Sequence, residues 1–164
     1  YCSNCGSDQM KFISPEDDNR KRFCCPDCGE IFYSNPNVVV GALSVHDNKI
    51  LMAKRNIFPR KDKWTLPAGF LENGETLQEG AIRETQEETL ADIKIIQPYT
   101  MISLPHINQV HMFYLADLPN ATFGTTIESS EVKLLALEEI PWEEVAFPTV
   151  KLTCLLYTSD AADD

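Results

Sequence analysis

Two copies of one short pattern, Cys2-Ser3-Asn4-Cys5-Gly6 and Cys25-Pro26-Asp27-Cys28-Gly29, lie at the front of this chain, separated by a stretch long enough for a hairpin. Paired C-x2-C motifs at such a separation read as a zinc site, because each pair turns both sulfurs toward one point. The glycine behind each second cysteine permits the left-handed backbone needed there. Four thiolates, Cys2, Cys5, Cys25 and Cys28, make a closed tetrahedral shell for Zn²⁺ with no position for water, so this zinc holds a fold together and does no chemistry. Met10, Phe12, Phe23 and Phe32 flank a polar tip, Glu16-Asp17-Asp18-Asn19, as a short hairpin would. A unit of about 34 residues is too small to be stable by burial alone, and the metal supplies the missing free energy. Two other readings compete with zinc in a structural ribbon. Disulfides would suit a secreted protein, which nothing here suggests. A nucleic-acid-binding ribbon would have Arg20, Lys21 and Arg22 as its only basic cluster. Cys24, beside ligand Cys25, reads as a strand residue.

With 43% apolar and 24% charged residues in 164, the chain has the ordinary globular mixture, which excludes disordered, collagen-like and membrane classes. No apolar run approaches the roughly 20 residues of a membrane span, so no membrane partner is expected and the chain reads as cytoplasmic. Fourteen Lys and Arg against 25 Asp and Glu leave a charge of −11, which argues against nucleic acid as a partner. An anionic substrate would need local help, most simply from bound cations. Tyr1 stands where a Met would be expected, so the start reads as clipped. At the other end Cys154 to Asp164, CLLYTSDAADD, resembles the translation of a transposase adapter used in DNA library preparation and is set aside from the fold. The expected division is therefore 1–34, 35–153 and 154–164.

Asn35-Pro36-Asn37 marks the domain boundary, since Pro36 biases Asn35 away from helix. Val38 to Val45 and Ile50 to Lys54 form a hairpin around His46-Asp47-Asn48-Lys49. Trp64 to Leu66 is a short strand, and Pro67-Ala68-Gly69 and Glu72-Asn73-Gly74 break the chain into a loop. Thr76 caps a helix running to about Thr89, with Glu79 completing a capping box and Leu77, Ala81 and Thr85 along one stripe. Ile93 to Ile96, Tyr99 to Leu104, Val110 to Ala116 and Val132 to Leu137 read as further strands. Ile140-Pro141-Trp142 opens a short helix that Pro148 closes, and Phe147-Pro148 starts another, whose apolar face begins with Val150 and Leu152. Strands on both sides of a central helix imply a mixed sheet covered by helices, an α/β fold without the regular repeat of a Rossmann domain.

Within the central helix, Arg83-Glu84-Thr85-Gln86-Glu87-Glu88 is the most informative piece. At about 100° per residue, its three glutamates fall within an arc of about 100°. Like charges at that spacing cost helix stability, so the cluster is either fully solvated or bridged by a cation. Taken alone, the hexapeptide leaves both readings open. Arg83 beside it is placed to orient a carboxylate.

Gly69, five residues, Glu75, seven residues, Arg83-Glu84, an intervening pair and Glu87-Glu88 resemble the signature of the Nudix hydrolases. Two positions depart from it: Thr85 replaces an apolar residue and Leu90 replaces the usual Gly. Thr85 is nearly the size of Val, whereas Leu90 implies a different exit from the helix. The front cysteines, Trp64 to Phe70, Leu104 to Val110 and Ile140-Pro141-Trp142 extend the resemblance to a bacterial Nudix subfamily with an N-terminal zinc ribbon. The resemblance implies an α/β/α sandwich, Mg²⁺ or Mn²⁺ at the helix, and hydrolysis of a nucleoside diphosphate linked to another group.

Carried over by position, Glu84, Glu87 and Glu88 are the metal ligands with the carbonyl of Gly69, and Arg83 is the orienting cation held by Glu75. Mg²⁺ takes oxygen ligands and keeps several waters, which such a set suits. Glu131 resembles a distant general base, with Glu128 as the alternative. Arg60, Phe70 and Pro105 complete the set on the substrate side. The second signature of NADH pyrophosphatases is not matched, and the position of Pro105 relative to Leu90 resembles that of the proline of ADP-ribose pyrophosphatases. Similarity to the FAD pyrophosphatase type puts FAD, cleaved to FMN and AMP, first and ADP-ribose next. NADH or a sugar nucleotide is the alternative substrate, a non-catalytic nucleotide-binding regulator the alternative class, and a homodimer is compatible with the resemblance.

Overall fold

Backbone hydrogen bonds at the front of the molecule repeat as the sequence does. In the computed structural model, which describes residues 1–160, Cys2 N–H donates to Ser7 O and Gly6 N–H to Cys2 O, and Cys25 and Gly29 donate to Glu30 O and Cys25 O in the same way. Gly6 and Gly29 sit at φ 79° and 75°, the left-handed region each knuckle requires. Strands β1 (Lys11–Ile13), β2 (Arg22–Cys24) and β3 (Ile31–Phe32) pair antiparallel, with Phe12 opposite Phe23 and Phe23 opposite Phe32. Phe12 and Phe23 remain 56% and 54% exposed, so burial alone does not hold this unit. Cys24 closes β2, its thiol directed to Arg22 O. This unit ends at Pro36, and a second begins at Asn37.

The second unit is built on β4 (Asn37–His46), β5 (Lys49–Arg55), β6 (Trp64–Thr65), β7 (Ala68–Phe70), α1 (Leu77–Thr89), β8 (Lys94–Leu104), β9 (Gln109–Asp117), β10 (Ser129–Leu135) and α2 (Pro148–Asp160). The sheet runs β10-β5-β4-β9-β8 and is mixed, because β4 and β9 are parallel while the other pairs are antiparallel. Asp47 and Asn48, both left-handed, turn the β4–β5 hairpin. Only Val45 and His46 pair with β5; below them the two strands part, β6 joining β5 and β7 joining β4.

Side chains alternate across this sheet as strand geometry dictates. Leu43, Ile50, Met52 and Phe113 pack on one face with Val150 and Cys154 of α2, whereas Val40 and Tyr114 pack with Ala81 of α1. The result is the α/β/α sandwich. Helix α2 buries Thr149, Val150, Thr153 and Cys154, one stripe at i, i+1, i+4 and i+5. Its buried hydroxyls are satisfied: Thr153 meets Thr100 at 2.9 Å, and Thr149 meets Nδ1 of His111 at 3.0 Å.

Several elements differ from expectation. Ala68–Phe70 is a strand, not a loop, because β4 offers it a free edge. The two strands expected on either side of Pro98 are one, β8; it is the sheet edge, where a missing donor is tolerated, and bulges flank the proline. Ile140-Pro141 joins two 3-10 turns, Leu137–Glu139 and Trp142–Glu144, in place of the expected single helix, and Pro148, instead of closing that helix, opens α2. Leu152 is exposed, so it does not share the apolar face of Val150. Cys154, first residue of the segment set aside, is fully buried and continues the α2 stripe. Residues 161–164 of that segment lie outside the described residues.

Candidate functional site

The parting of β4 and β5 creates the site. Strand β7 lies so close to β4 that a Cβ on Gly41 would fall 2.5 Å from both Ala68 Cβ and Pro67 O. This sets Gly69 against α1, where an added Cβ would fall 2.3 Å from a carboxylate oxygen of Glu84. Thr76 starts α1 through a reciprocal cap, its Oγ1 accepting from Glu79 N–H while the Glu79 carboxylate accepts from Thr76 N–H. Thr85, at the position that departs from the signature, is fully buried and donates its hydroxyl to Ala81 O at 2.8 Å, so it packs as the apolar residue would. Leu90 ends the helix at φ 57°, the conformation for which glycine is suited.

Arg83 ties the acidic cluster together. Its Nε and Nη2 donate to Glu75 at 2.9 and 2.7 Å, Nη2 also donates to Phe70 O, and Nη1 donates to Glu84 at 2.7 Å and Glu87 at 3.1 Å. Arg83 and the Glu72 N–H hold the Glu75 carboxyl down at about 2. Burial pushes Glu84 up in spite of Arg83. Burial also pushes Glu88 up to about 8; its one backbone donor, Ala68 N–H at 3.2 Å, opposes this, and the charge of Glu84 adds to it. Glu87 is the outer member, its side chain 59% exposed.

These residues fit a divalent cation of the hard, oxygen-seeking kind. Glu84 and Glu88 are carboxylates whose burial disfavours the charged form, and a cation would supply the counter-charge. The missing Cβ of Gly69 is what lets the backbone approach them. The cysteines fit a different ion. Sγ of Cys2 and Cys28 are 3.7 Å apart and those of Cys5 and Cys25 3.6 Å, with all four within 4.8 Å. A tetrahedron with Zn–S of about 2.3 Å puts its sulfurs about 3.8 Å apart. Among the described residues this quartet is the one group of three or more ligating side chains gathered so tightly. The glutamates are spread wider, two drawn to Arg83 and one to Ala68.

Gly69, Phe70, Arg83, Glu84, Glu87 and Glu88 thus converge. Pro105 begins a 3-10 turn, Pro105–Ile107, next to the start of β4: Asn37 pairs with Gln109, as Val39 pairs with Phe70. Arg60 lies on the exposed loop between β5 and β6, left-handed at φ 61°. Glu131 stands on β10 opposite Lys54 and is gripped by Lys54 at 2.8 Å and Lys133 at 2.7 Å, which hold it down at about 2. Glu128, earlier in the same stretch, makes no such pair among the described residues, and its charge is the smallest of the named contributions that push Glu84 and Glu88 up. Its loop is linked to α1, since Thr126 Oγ1 donates to Glu88 O. No local motif marks Thr126 or the Asn56 that bonds this loop, because both act on partners far away in the sequence.

A family model described as "NUDIX domain" matches residues 35–153, and one described as "Nudix N-terminal", a zinc ribbon, matches residues 1–34. The crystal structure of a NUDIX hydrolase from Nitrosomonas europaea superposes with TM-score 0.94 at 45% identity, covering 98% of this chain and 90% of that one. An ADP-ribose pyrophosphatase of Methanocaldococcus jannaschii is 30% identical over 126 residues, 73% of this chain and 72% of the relative. A NAD-capped RNA hydrolase, NudC, of Photorhabdus laumondii is 31% identical over 119 residues, 71% of this chain but 43% of the relative. The chain therefore spans less than half the length of that second relative.

Proposed function

The chain belongs to the Nudix hydrolase family, in its zinc-ribbon branch, and on that premise we propose that it hydrolyses the diphosphate of a nucleotide of the ADP-ribose type with the α1 carboxylates as its cation site. The observation that carries this reading is the Arg83 clamp, which holds Glu84 and Glu87 beside the buried Glu88 and the open face of Gly69. Glu84, Glu87, Glu88 and the Gly69 carbonyl would hold Mg²⁺ or Mn²⁺, and the cysteine quartet would hold Zn²⁺. A divalent cation at the helix would supply charge neutralisation for the diphosphate and a more nucleophilic water.

The remaining steps belong to the protein. Glu75 and Phe70 O fix the Arg83 guanidinium, and Arg83 keeps two carboxylates aimed. Glu128, rather than the doubly paired Glu131, accepts a proton from the attacking water; the new O–P bond forms as the bridging P–O bond breaks, giving AMP and ribose 5-phosphate from ADP-ribose. Arg60, Lys61 and Lys63 make no ion pair with the described residues and receive the substrate phosphates in a chain of net charge −11. Phe70, 51% exposed, offers an apolar surface to the base, with the Pro105 turn at the same end of β4.

The relatives' names favour ADP-ribose over FAD, which moves to second place. All three helix carboxylates are present, which argues against a non-catalytic regulator. Cytoplasm is the proposed compartment, in keeping with six cysteines that form no disulfide. Among the described residues no helix is long and apolar enough to cross a membrane. Product analysis over ADP-ribose, FAD, NADH and a sugar nucleotide with Mg²⁺ or Mn²⁺, against a Glu88→Gln control, tests the proposal. AMP with ribose 5-phosphate as the fastest-formed products is the expected result; activity confined to nucleoside triphosphates would reject it.

A further inference from the structure

The loop that carries Glu128 is poorly supported by burial. Ile127 is 87% exposed and Glu128 itself is exposed, so apolar packing does little to fix this stretch beside α1. Past Glu128 the chain is fixed by the sheet, since Ser129 is buried and pairs with Arg55, and the loop before it rests on a few polar links. Asn56 makes two of them to adjacent carbonyls: its backbone N–H donates to Glu128 O at 2.7 Å and its Nδ2 to Ile127 O at 3.0 Å. Thr126 makes three more, its Oγ1 donating to Glu88 O at 3.3 Å and accepting from Glu128 N–H at 3.2 Å, and its own N–H donating to Ser129 O at 3.1 Å. Asn56 is itself anchored, because the loop that follows it closes on β5 through Arg55 N–H to Lys63 O and Asp62 N–H to Arg55 O.

We infer that Asn56 is a positioning residue that latches the Glu128 loop between β5 and the last turn of α1 and so holds Glu128 for the proton transfer proposed above. The inference rests on the reading of Glu128 as the proton acceptor. Only a side chain with a short, rigid amide reaches the second carbonyl while the backbone serves the first. Alanine at this position keeps one link of two, whereas aspartate turns an acceptor toward a carbonyl and pushes the loop away. Because a displacement of about 1 Å at a reacting group can cost about a hundredfold in rate, the latch should be visible in kcat.

The test compares the full chain carrying Asn56→Ala, Asn56→Asp, Glu128→Gln and the double Asn56→Asp/Glu128→Gln, assayed with ADP-ribose and Mg²⁺. The latch predicts kcat lowered about tenfold in Asn56→Ala and up to about a hundredfold in Asn56→Asp. KM and melting temperature should stay near wild type, and the double variant should be no slower than Glu128→Gln alone. Losses that multiply in the double variant, or a wild-type kcat in Asn56→Asp while Glu128→Gln is impaired, would overturn the latch and leave the role of Glu128 standing. A wild-type kcat in Glu128→Gln would instead remove the underlying assignment, and the latch with it. If Asn56→Asp does not fold, Thr126→Val removes the opposite anchor; the same fall in kcat supports the latch and an unchanged kcat overturns it.

Discussion

The cysteine quartet and the glutamate helix gather ligands in opposite ways. Two pairs of the four sulfurs already stand at the spacing of a tetrahedron's edge and all lie within 4.8 Å, brought there by two knuckles of the same pattern between Cys2 and Gly29. The carboxylates do not close up in the same way: burial penalises the charge on Glu84 and Glu88, Glu87 stays at the surface, and Arg83 and Ala68 hold them individually. A site whose ligands are assembled by backbone turns is suited to a permanent ion. One whose carboxylates are already paired with a protein cation is suited to ions that come with substrate.

That contrast is broken most directly at the quartet, where a structural zinc is worth about 10 kcal/mol or more of folding free energy. Cys25→Ser should abolish tight zinc binding and leave the amides of residues 1–36 unprotected in hydrogen exchange, while the sheet from Asn37 onward keeps its protection. Full protection of the ribbon without metal would show that the quartet is dispensable. Cys24→Ser should change neither quantity.

At the helix the expected effect falls on rate. Glu88→Gln should lower kcat by about three orders of magnitude, equivalent to about 4 kcal/mol of transition-state stabilisation, with the fold intact by circular dichroism. A loss of less than tenfold would mean that Glu88 is structural.

A third effect separates the regions by pH. Burial raises Glu88 from its ordinary 4.5 to about 8, so between those values the folded state holds a proton that the unfolded state has released. Without divalent cations this group therefore lowers stability as pH rises through that window, and above about 8 the full penalty applies. Glu88→Gln should flatten this slope and melt about 3 °C or more above wild type at pH 8. Added Mg²⁺ should stabilise wild type more than the variant. A variant with an unchanged slope would show that Glu88 is not the group responsible.

The smallest effect concerns the signature's missing glycine. Leu90 occupies a left-handed position at 52% exposure, so Leu90→Gly should relieve backbone strain and stabilise by about 0.5–1 kcal/mol, read as a shift in denaturant midpoint. Destabilisation would mean that the packing of Leu90 beside Gly124, where an added Cβ would fall 3.2 Å from Leu90 Cδ1, outweighs the strain.

Both proposed ligand sets lie close together in sequence, which is why they stand out there: the knuckles repeat, and Glu84, Glu87 and Glu88 share a helix face. The Thr76–Glu79 cap and the β4–β5 hairpin were legible for the same reason. What could not be read depends on distant partners. Ala68–Phe70 becomes a strand only because β4 leaves an edge beside Gly41, and Pro98 stays within β8 only because β8 has no outer neighbour. Glu131 and Glu128 are indistinguishable as letters; Lys54 and Lys133 separate them. Cys154 looked like the start of foreign sequence, yet a small apolar side chain at that helical position is buried whatever its origin.

The parallel pairing of β4 with β9 also has a kinetic meaning. Val39 lies opposite His111, with β5, β6, β7, α1 and β8 all falling between them in the chain, so the centre of the sheet cannot close until that long stretch has been ordered. Loop closure of this length is slow compared with a hairpin such as β8–β9. The ribbon faces no such wait: its ligands are close in sequence, and zinc can capture it while the larger unit is still searching.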